Sequence, residues 1–201
     1  MKTLYRLADF EGKFVNEDCL LVASGPTTFD YQNLKNHSGP IAFINDTISI
    51  SHYAGNRHNL FFSTIHADSY AEEMNQDGLI LMLPKGHLPD YVHNDVLLYN
   101  WREQGHTTFP NAERNELYCA SNSTLPPIHL FALAGCKELK VIGGELIENN
   151  GEVILHHDYR LKPNRLNGGP QDTNFNAIAC HKAIIDTCEL LGMTTIFITD
   201  L

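Results

Sequence analysis

The sequence predicts an α/β protein on a mostly parallel sheet, three layers deep, with helices on both faces. Three observations predict it. Four short apolar runs, Cys19–Ala23, Ile41–Ile44, Asn59–Phe62 and Leu79–Leu83, recur about 20 residues apart, which leaves room for a short helix between each pair. Each run is continuous rather than alternating, the pattern of a strand buried on both faces. Each also stops at turn-forming or small polar residues: Ser24-Gly25-Pro26-Thr27-Thr28, Asn45-Asp46, Ser63-Thr64 and Pro84.

The later elements follow in order. Residues 84–121 hold Pro84, Pro89, Pro110, the single Trp101 and several His, and read as an irregular insertion, a lid or a substrate-facing segment. Pro126-Pro127 opens a short helix that Gly135 closes. Leu139–Gly144 is a further buried strand. In Leu146–Leu155, Asn149-Asn150-Gly151 separates two apolar pieces and predicts a β-hairpin near the C-terminal third. The last helix is capped by Asp172 or Thr173, carries Ile178, Ile185 and Cys188 on one face with Phe175 and Leu191 nearby, and ends at Gly192. Thr194–Thr199 forms the final strand.

A chain of 201 residues suits one domain, 1–201, and 43% apolar against 19% charged residues excludes a disordered or fibrous protein. No apolar run approaches the roughly 20 residues of a membrane span. The formal charge of −10, with no basic cluster, argues against duplex nucleic acid as a partner. The amino terminus lacks the apolar core and cleavage site of a secretory signal, so the expected location is cytoplasmic. Cys19, Cys119, Cys136, Cys180 and Cys188 are odd in number and scattered, which reads as reduced, mostly buried thiols rather than a disulfide framework or a zinc site. A homo-oligomer is a prior expectation, the irregular middle offering a packing surface.

In an open parallel sheet, ligands bind beyond the carboxyl ends of the strands. Ser24, Gly25, Pro26 and Thr27 offer amides and hydroxyls to a phosphate, or form a plain strand-to-helix turn. Asn45 and Asp46 can read a base or ribose, though Asp46 taken alone reads first as a helix cap. Ser63, Thr64, His66 and Asp68 follow the third run, and Ser123 and Thr124 precede the Pro126 helix as a second anion site. His156, His157 and Asp158 are the densest titratable cluster, equipped for proton transfer or simply an exposed hairpin end. There is no G-x-G-x-x-G, Walker, G-x-S-x-G or H-E-x-x-H pattern.

Three segments resemble a known group. Leu21-Val22-Ala23-Ser24-Gly25-Pro26-Thr27 is similar to the opening turn of the MptE-like 6-hydroxymethylpterin diphosphokinases, the motility-associated flagellin glycosyltransferases and the bacterial CMP-sialic-acid sialyltransferases. Ser123-Thr124 through Leu133-Ala134-Gly135-Cys136-Lys137-Glu138-Leu139-Lys140-Val141-Ile142-Gly143-Gly144-Glu145 resembles their second conserved stretch, with Thr124 in place of Gly and Glu145 in place of Asp. Gly168-Gly169-Pro170-Gln171-Asp172-Thr173-Asn174-Phe175 is similar to their closing segment, but has Gly168-Gly169-Pro170 where the sialyltransferases carry a catalytic His, and their tyrosine pair has no match.

The resemblance implies a Rossmann-like nucleotide-binding domain, with the nucleotide over Ser24–Thr27, Asn45, Ser63–Thr64, Ser123–Thr124 and Gly143, Gly144 and Glu145. The leading expectation is a nucleotide-dependent group transferase of the glycosyltransferase type. A nucleotide-sugar, CMP-sugar-like, would be the donor and a hydroxyl the acceptor, with His157 or His156 as base and Asp158 orienting it. One alternative is a diphosphokinase acting on a pterin-like alcohol with Mg-ATP, Asp68 and Glu145 holding the metal. The other is a nucleotide-binding protein without catalysis.

Overall fold

The computed structural model describes residues 2–23, 31–55, 59–62, 70, 72–102, 109–118, 122–144, 147–149, 152–154 and 177–198. Its strands are β1 (Leu4–Tyr5), β2 (Asp18–Val22), β3 (Ile41–Ile44), β4 (Asn59–Phe62), β5 (Leu79–Pro84), β6 (Val96–Arg102), β7 (Glu116–Tyr118), β8 (Glu138–Ile142), β9 (Ile147–Asn149), β10 (Glu152–Ile154) and β11 (Thr194–Phe197). Its α-helices are α1 (Tyr31–Asn36), α2 (Leu125–Leu133) and α3 (Ala177–Leu190). The fold is α/β: a nine-stranded sheet in the order β1-β6-β5-β4-β3-β2-β8-β11, with β7 on β6, every described pairing parallel. β9 and β10 form a separate antiparallel hairpin, Glu152 opposite Asn149, where the Asn-Gly turn predicts one.

The sheet is buried on both faces, so successive residues of each central strand enter opposite cores. Cys19, Leu21, Ala42, Ile44, Leu60, Phe62, Ile80 and Met82 point into one core, under α2, α3 and a 3-10 turn at Leu7–Phe10. Leu20, Val22, Ile41, Phe43, Phe61, Leu79, Leu81 and Leu83 point into the other, under Leu34 of α1 and a ten-residue 3-10 segment, Asn45–Ala54. The helices between the first strands are therefore short, as their spacing requires.

Both longer helices end in the same way. Gly135 and Gly192 take φ of +91° and +71°, where a side chain is strained. The next amides, of Cys136 and Met193, then reach back to the Phe131 and Cys188 carbonyls, closing Schellman caps.

Three expectations need correction. Cys19 and Cys136 are not reduced thiols but are joined in a disulfide between the start of β2 and the α2–β8 turn. Chain neighbours give no sign of this pairing across 117 residues. Cys180 and Cys188 are free thiols, and burial pushes both pKa values up to about 11. Cys119 lies outside the described residues.

The second correction concerns α3. Cys188 is buried as expected, together with Ile184 and Thr187, whereas Ile178 is 51% exposed and Ile185 half-buried, so only part of the expected apolar face is the buried one. The proposed caps Asp172 and Thr173, and Phe175, lie outside the described residues. Third, the stretch 84–121 is not all irregular. β6 within it is a strand between β5 and β1, and β7 extends the same flank. No described helix is long and apolar enough to cross a membrane.

Candidate functional site

Beyond the edge strand β1, the strand order reverses between β2 and β8. From β2 the chain steps outward through β3, β4, β5 and β6, then returns to lay β8 against the other side of β2. In open parallel sheets such a reversal is where a ligand crevice forms, here beyond the carboxyl ends of β2 and β8. The Ala23 N–H donates to the Ile142 carbonyl at 2.8 Å, so the ladder is intact up to the mouth of the crevice.

On the β8 side the crevice opens at Gly143 and Gly144. Gly143 is buried with φ +72°, a turn that glycine makes without strain. At Gly144 a Cβ would lie 2.7 Å from Val141 Cγ1, so bulk is excluded there as well. The His181 Nδ1 donates to the Gly144 carbonyl at 2.9 Å, and its ring stacks on Phe197 at 4.3 Å. α3 and β11 thus hold the strand end in place.

On the β3 side, Asn45 begins the 3-10 segment with φ +50° and is half-buried. Thr47 fixes this corner. Its fully buried hydroxyl accepts the Ile44 N–H at 2.7 Å and lies 3.0 Å from the Val22 carbonyl, to which it donates, tying the ends of β2 and β3 together. Asp46 Oδ1 accepts a hydrogen bond from the Tyr70 hydroxyl at 3.0 Å, which orients its carboxylate. Asn45, Asp46, Gly143 and Gly144 are therefore brought to one edge, around the ends of three adjacent strands.

Ser123 and Thr124 open α2 as expected, but the donors an anion would need are occupied. Asn122 Oδ1 accepts from both the amide and the hydroxyl of Thr124, at 3.0 and 2.6 Å, and the Leu125 N–H is bonded to the Asn122 carbonyl. Pro126 and Pro127 have no N–H to give. This geometry removes the main support for a second anion site at Ser123 and Thr124. Ser24, Gly25, Pro26, Thr27, Ser63, Thr64, His66, Asp68, Glu145, His156, His157 and Asp158 lie outside the described residues.

Sequence reasoning missed one titratable group. His129, in the middle of α2, is fully buried, and burial lowers its pKa to about 4. Its Nδ1 accepts the Tyr118 N–H at 3.2 Å, which leaves the proton on Nε2, a buried atom with no hydrogen-bond partner among the described residues. The available signal was a lone histidine inside the apolar run Leu125–Leu133. Among the described residues there is no group of three His, Cys, Asp or Glu that could hold a metal ion.

The architecture is that of an open, mostly parallel α/β sheet whose strand order reverses between β2 and β8. Among solved structures, it is similar to the MAf glycosyltransferase from Magnetospirillum magneticum AMB-1, with a TM-score of 0.51 and 15% sequence identity. The match covers 74% of this chain and 25% of that one, so this chain corresponds to about a quarter of the larger protein. At that identity the likeness concerns the fold. No family model matches the sequence, and no curated protein matches it.

Proposed function

We propose that the chain is a nucleotide-dependent group transferase of the glycosyltransferase type, taking a nucleotide-sugar donor in the crevice between β2 and β8. The observation that carries this reading is the reversal of strand order there, with Asn45 and Asp46 on one side and Gly143 and Gly144 on the other. The fold shared with a MAf glycosyltransferase supports the same class.

In this reading the diphosphate or phosphate lies over Ser24–Thr27, Ser63–Thr64 and Gly143–Glu145, and Asn45 and Asp46 face the base or ribose. Transfer breaks the bond between the anomeric carbon and the phosphate oxygen and forms one to the acceptor oxygen. The acceptor proton passes to His157 or His156, oriented by Asp158. Positioning and stabilisation of the departing phosphate supply most of the rate.

A thermal-shift screen against CMP, CDP, UDP, GDP, ATP and their sugar conjugates, with and without magnesium, tests the proposal. The expected result is a metal-independent rise in midpoint with one nucleotide or its sugar, weakened in Asn45→Ala. No rise with any nucleotide overturns the reading. A rise confined to ATP with magnesium replaces it with diphosphate transfer.

A further inference from the structure

Three strands away from the crevice, the same carboxyl edge carries a second concavity. A cleft of about 450 Å³ lies over the ends of β5 and β6, lined by Pro84, Lys85, His87, Asn100, Trp101 and Arg102. At about 4.8 Å per strand, β5 and β6 stand about 14–19 Å from β2.

The walls of the cleft are fixed by their backbone. Pro84–His87 is a tight turn closed by the His87 N–H on the Pro84 carbonyl at 3.0 Å, with Gly86 at φ +95° in the third position. The Lys85 N–H donates to the Tyr99 carbonyl at 2.8 Å and pins that turn to β6. On the other wall, Asn100 Nδ2 donates to the Arg114 carbonyl and the Asn100 N–H to the Asn115 carbonyl, at 2.7 Å each. Asn115 in turn donates through Nδ2 to the Leu98 carbonyl. The groups facing the cleft are therefore held on rigid turns and strand ends.

Its chemistry runs against the rest of the chain. The protein has 24 acidic and 14 basic residues, yet among the described residues that line the cleft none is acidic and two are Lys or Arg. Arg102 is anchored from below: Nε and Nη2 lie 3.1 and 2.7 Å from Oε1 of the buried Glu116, while the side chain as a whole is 58% exposed. That pair holds the guanidinium in one orientation and does not use Nη1. The Lys85 ammonium has no acidic partner among the described residues. Trp101 is half-buried with Nε1 shut off from solvent, so what it offers a ligand is hydrocarbon.

We propose that this cleft binds a sugar bearing a carboxylate or phosphate, with the anion on Lys85, His87 and Arg102 and the ring against Trp101, and that this sugar is the acceptor. An ammonium and an oriented guanidinium are the usual partners of either anion, and an indole face suits the apolar side of a pyranose. The anion site stands on the lining residues, and its assignment to the acceptor rests on the transferase reading.

Because Trp101 is the only tryptophan in the chain, its fluorescence reports on this cleft directly. The full chain is titrated at low salt with glucose 6-phosphate, glucuronate and, as the neutral control, glucose. The expected result is a saturable change with one or both anionic sugars, identifying phosphate or carboxylate, and none with glucose. Lys85→Gln, at an exposed turn position, is expected to weaken that response at least tenfold with an unchanged melting midpoint.

No response to either anionic sugar, an equal response to glucose, or a response untouched by Lys85→Gln overturns the cleft proposal. The nucleotide thermal shift on the same sample separates the two readings. A nucleotide shift without a tryptophan response overturns the cleft alone. A tryptophan response in a protein that no nucleotide stabilises overturns the transferase reading and the acceptor assignment with it.

Discussion

The two faces of the sheet are built from the same strands but covered differently. One lies under two capped α-helices and contains the Cys19–Cys136 disulfide. The other lies under the six-residue α1 and the 3-10 segment Asn45–Ala54, whose hydrogen-bond geometry is poorer than that of an α-helix. The difference teaches where rigidity is placed. The regular face anchors the sheet, and the face made of short turns carries Asn45 and Asp46 to its carboxyl edge, where Thr47 and Tyr70 hold them.

The largest expected effect tests the anchor. Replacing Cys19 and Cys136 together by Ala removes a cross-link spanning 117 residues, and the loop-entropy argument puts the loss at about 4–5 kcal/mol. Urea unfolding of the oxidised protein and the double variant measures it. Equal midpoints would show that the regular face gains nothing from the bond.

A smaller effect comes from His129 on the same face. Its folded pKa, about 4, lies below the ordinary 6.5, so between those values the unfolded chain binds a proton that the folded chain refuses. Stability contributed by this group is intact above pH 6.5 and is lost as pH falls toward 4, by roughly 3 kcal/mol in all. Unfolding followed between pH 7 and 4 should show that slope, and His129→Gln should flatten it.

On the turn-built face, Thr47→Val keeps the shape but strands the Ile44 N–H and the Val22 carbonyl. The expected loss is about 1–3 kcal/mol, with nucleotide stabilisation reduced as well, because the corner beside Asn45 loosens. A variant that loses stability but keeps the full nucleotide shift would separate this corner from the crevice. The smallest effect belongs to the exposed Lys182–Asp186 pair on α3, 2.7 Å apart one turn along the helix. Asp186→Ala should cost less than about 0.5 kcal/mol, and a larger loss would mean that the helical face depends on its surface.

The sequence made visible what burial on both faces makes visible. β3 and β4 fall on Ile41–Ile44 and Asn59–Phe62, since a strand between two cores must be apolar throughout. β6 escaped because Val96–Arg102 changes character midway, from Val-Leu-Leu to Tyr-Asn-Trp-Arg, as its burial fades past Tyr99 toward the cleft. β1 has two residues and owes its place to Val96 and Leu97. The stripe of α3 was partly misplaced because a polar residue, Thr187, is buried and an apolar one, Ile178, is not.

At the site, Asn45 and Asp46 were legible as polar residues closing an apolar run. The left-handed turn of Asn45, the tie made by Thr47 and the occupied donors before α2 depend on neighbours far along the chain, which spacing does not encode. The Cys19–Cys136 pair is invisible for the same reason.

The reversal of strand order also sets a schedule for synthesis. β2 pairs with β3 about 20 residues later, but its other edge waits for β8, with Asp18 opposite Glu138 and so 138 − 18 = 120 residues downstream. At about 5–20 residues per second, the central strand is exposed on that side for about 6–24 s. During that interval the chain presents an unpaired apolar edge, Cys19-Leu20-Leu21-Val22, to any other nascent or unfolded chain nearby. The strand that later forms the wall of the crevice is thus the one most in need of shielding while the protein is being made.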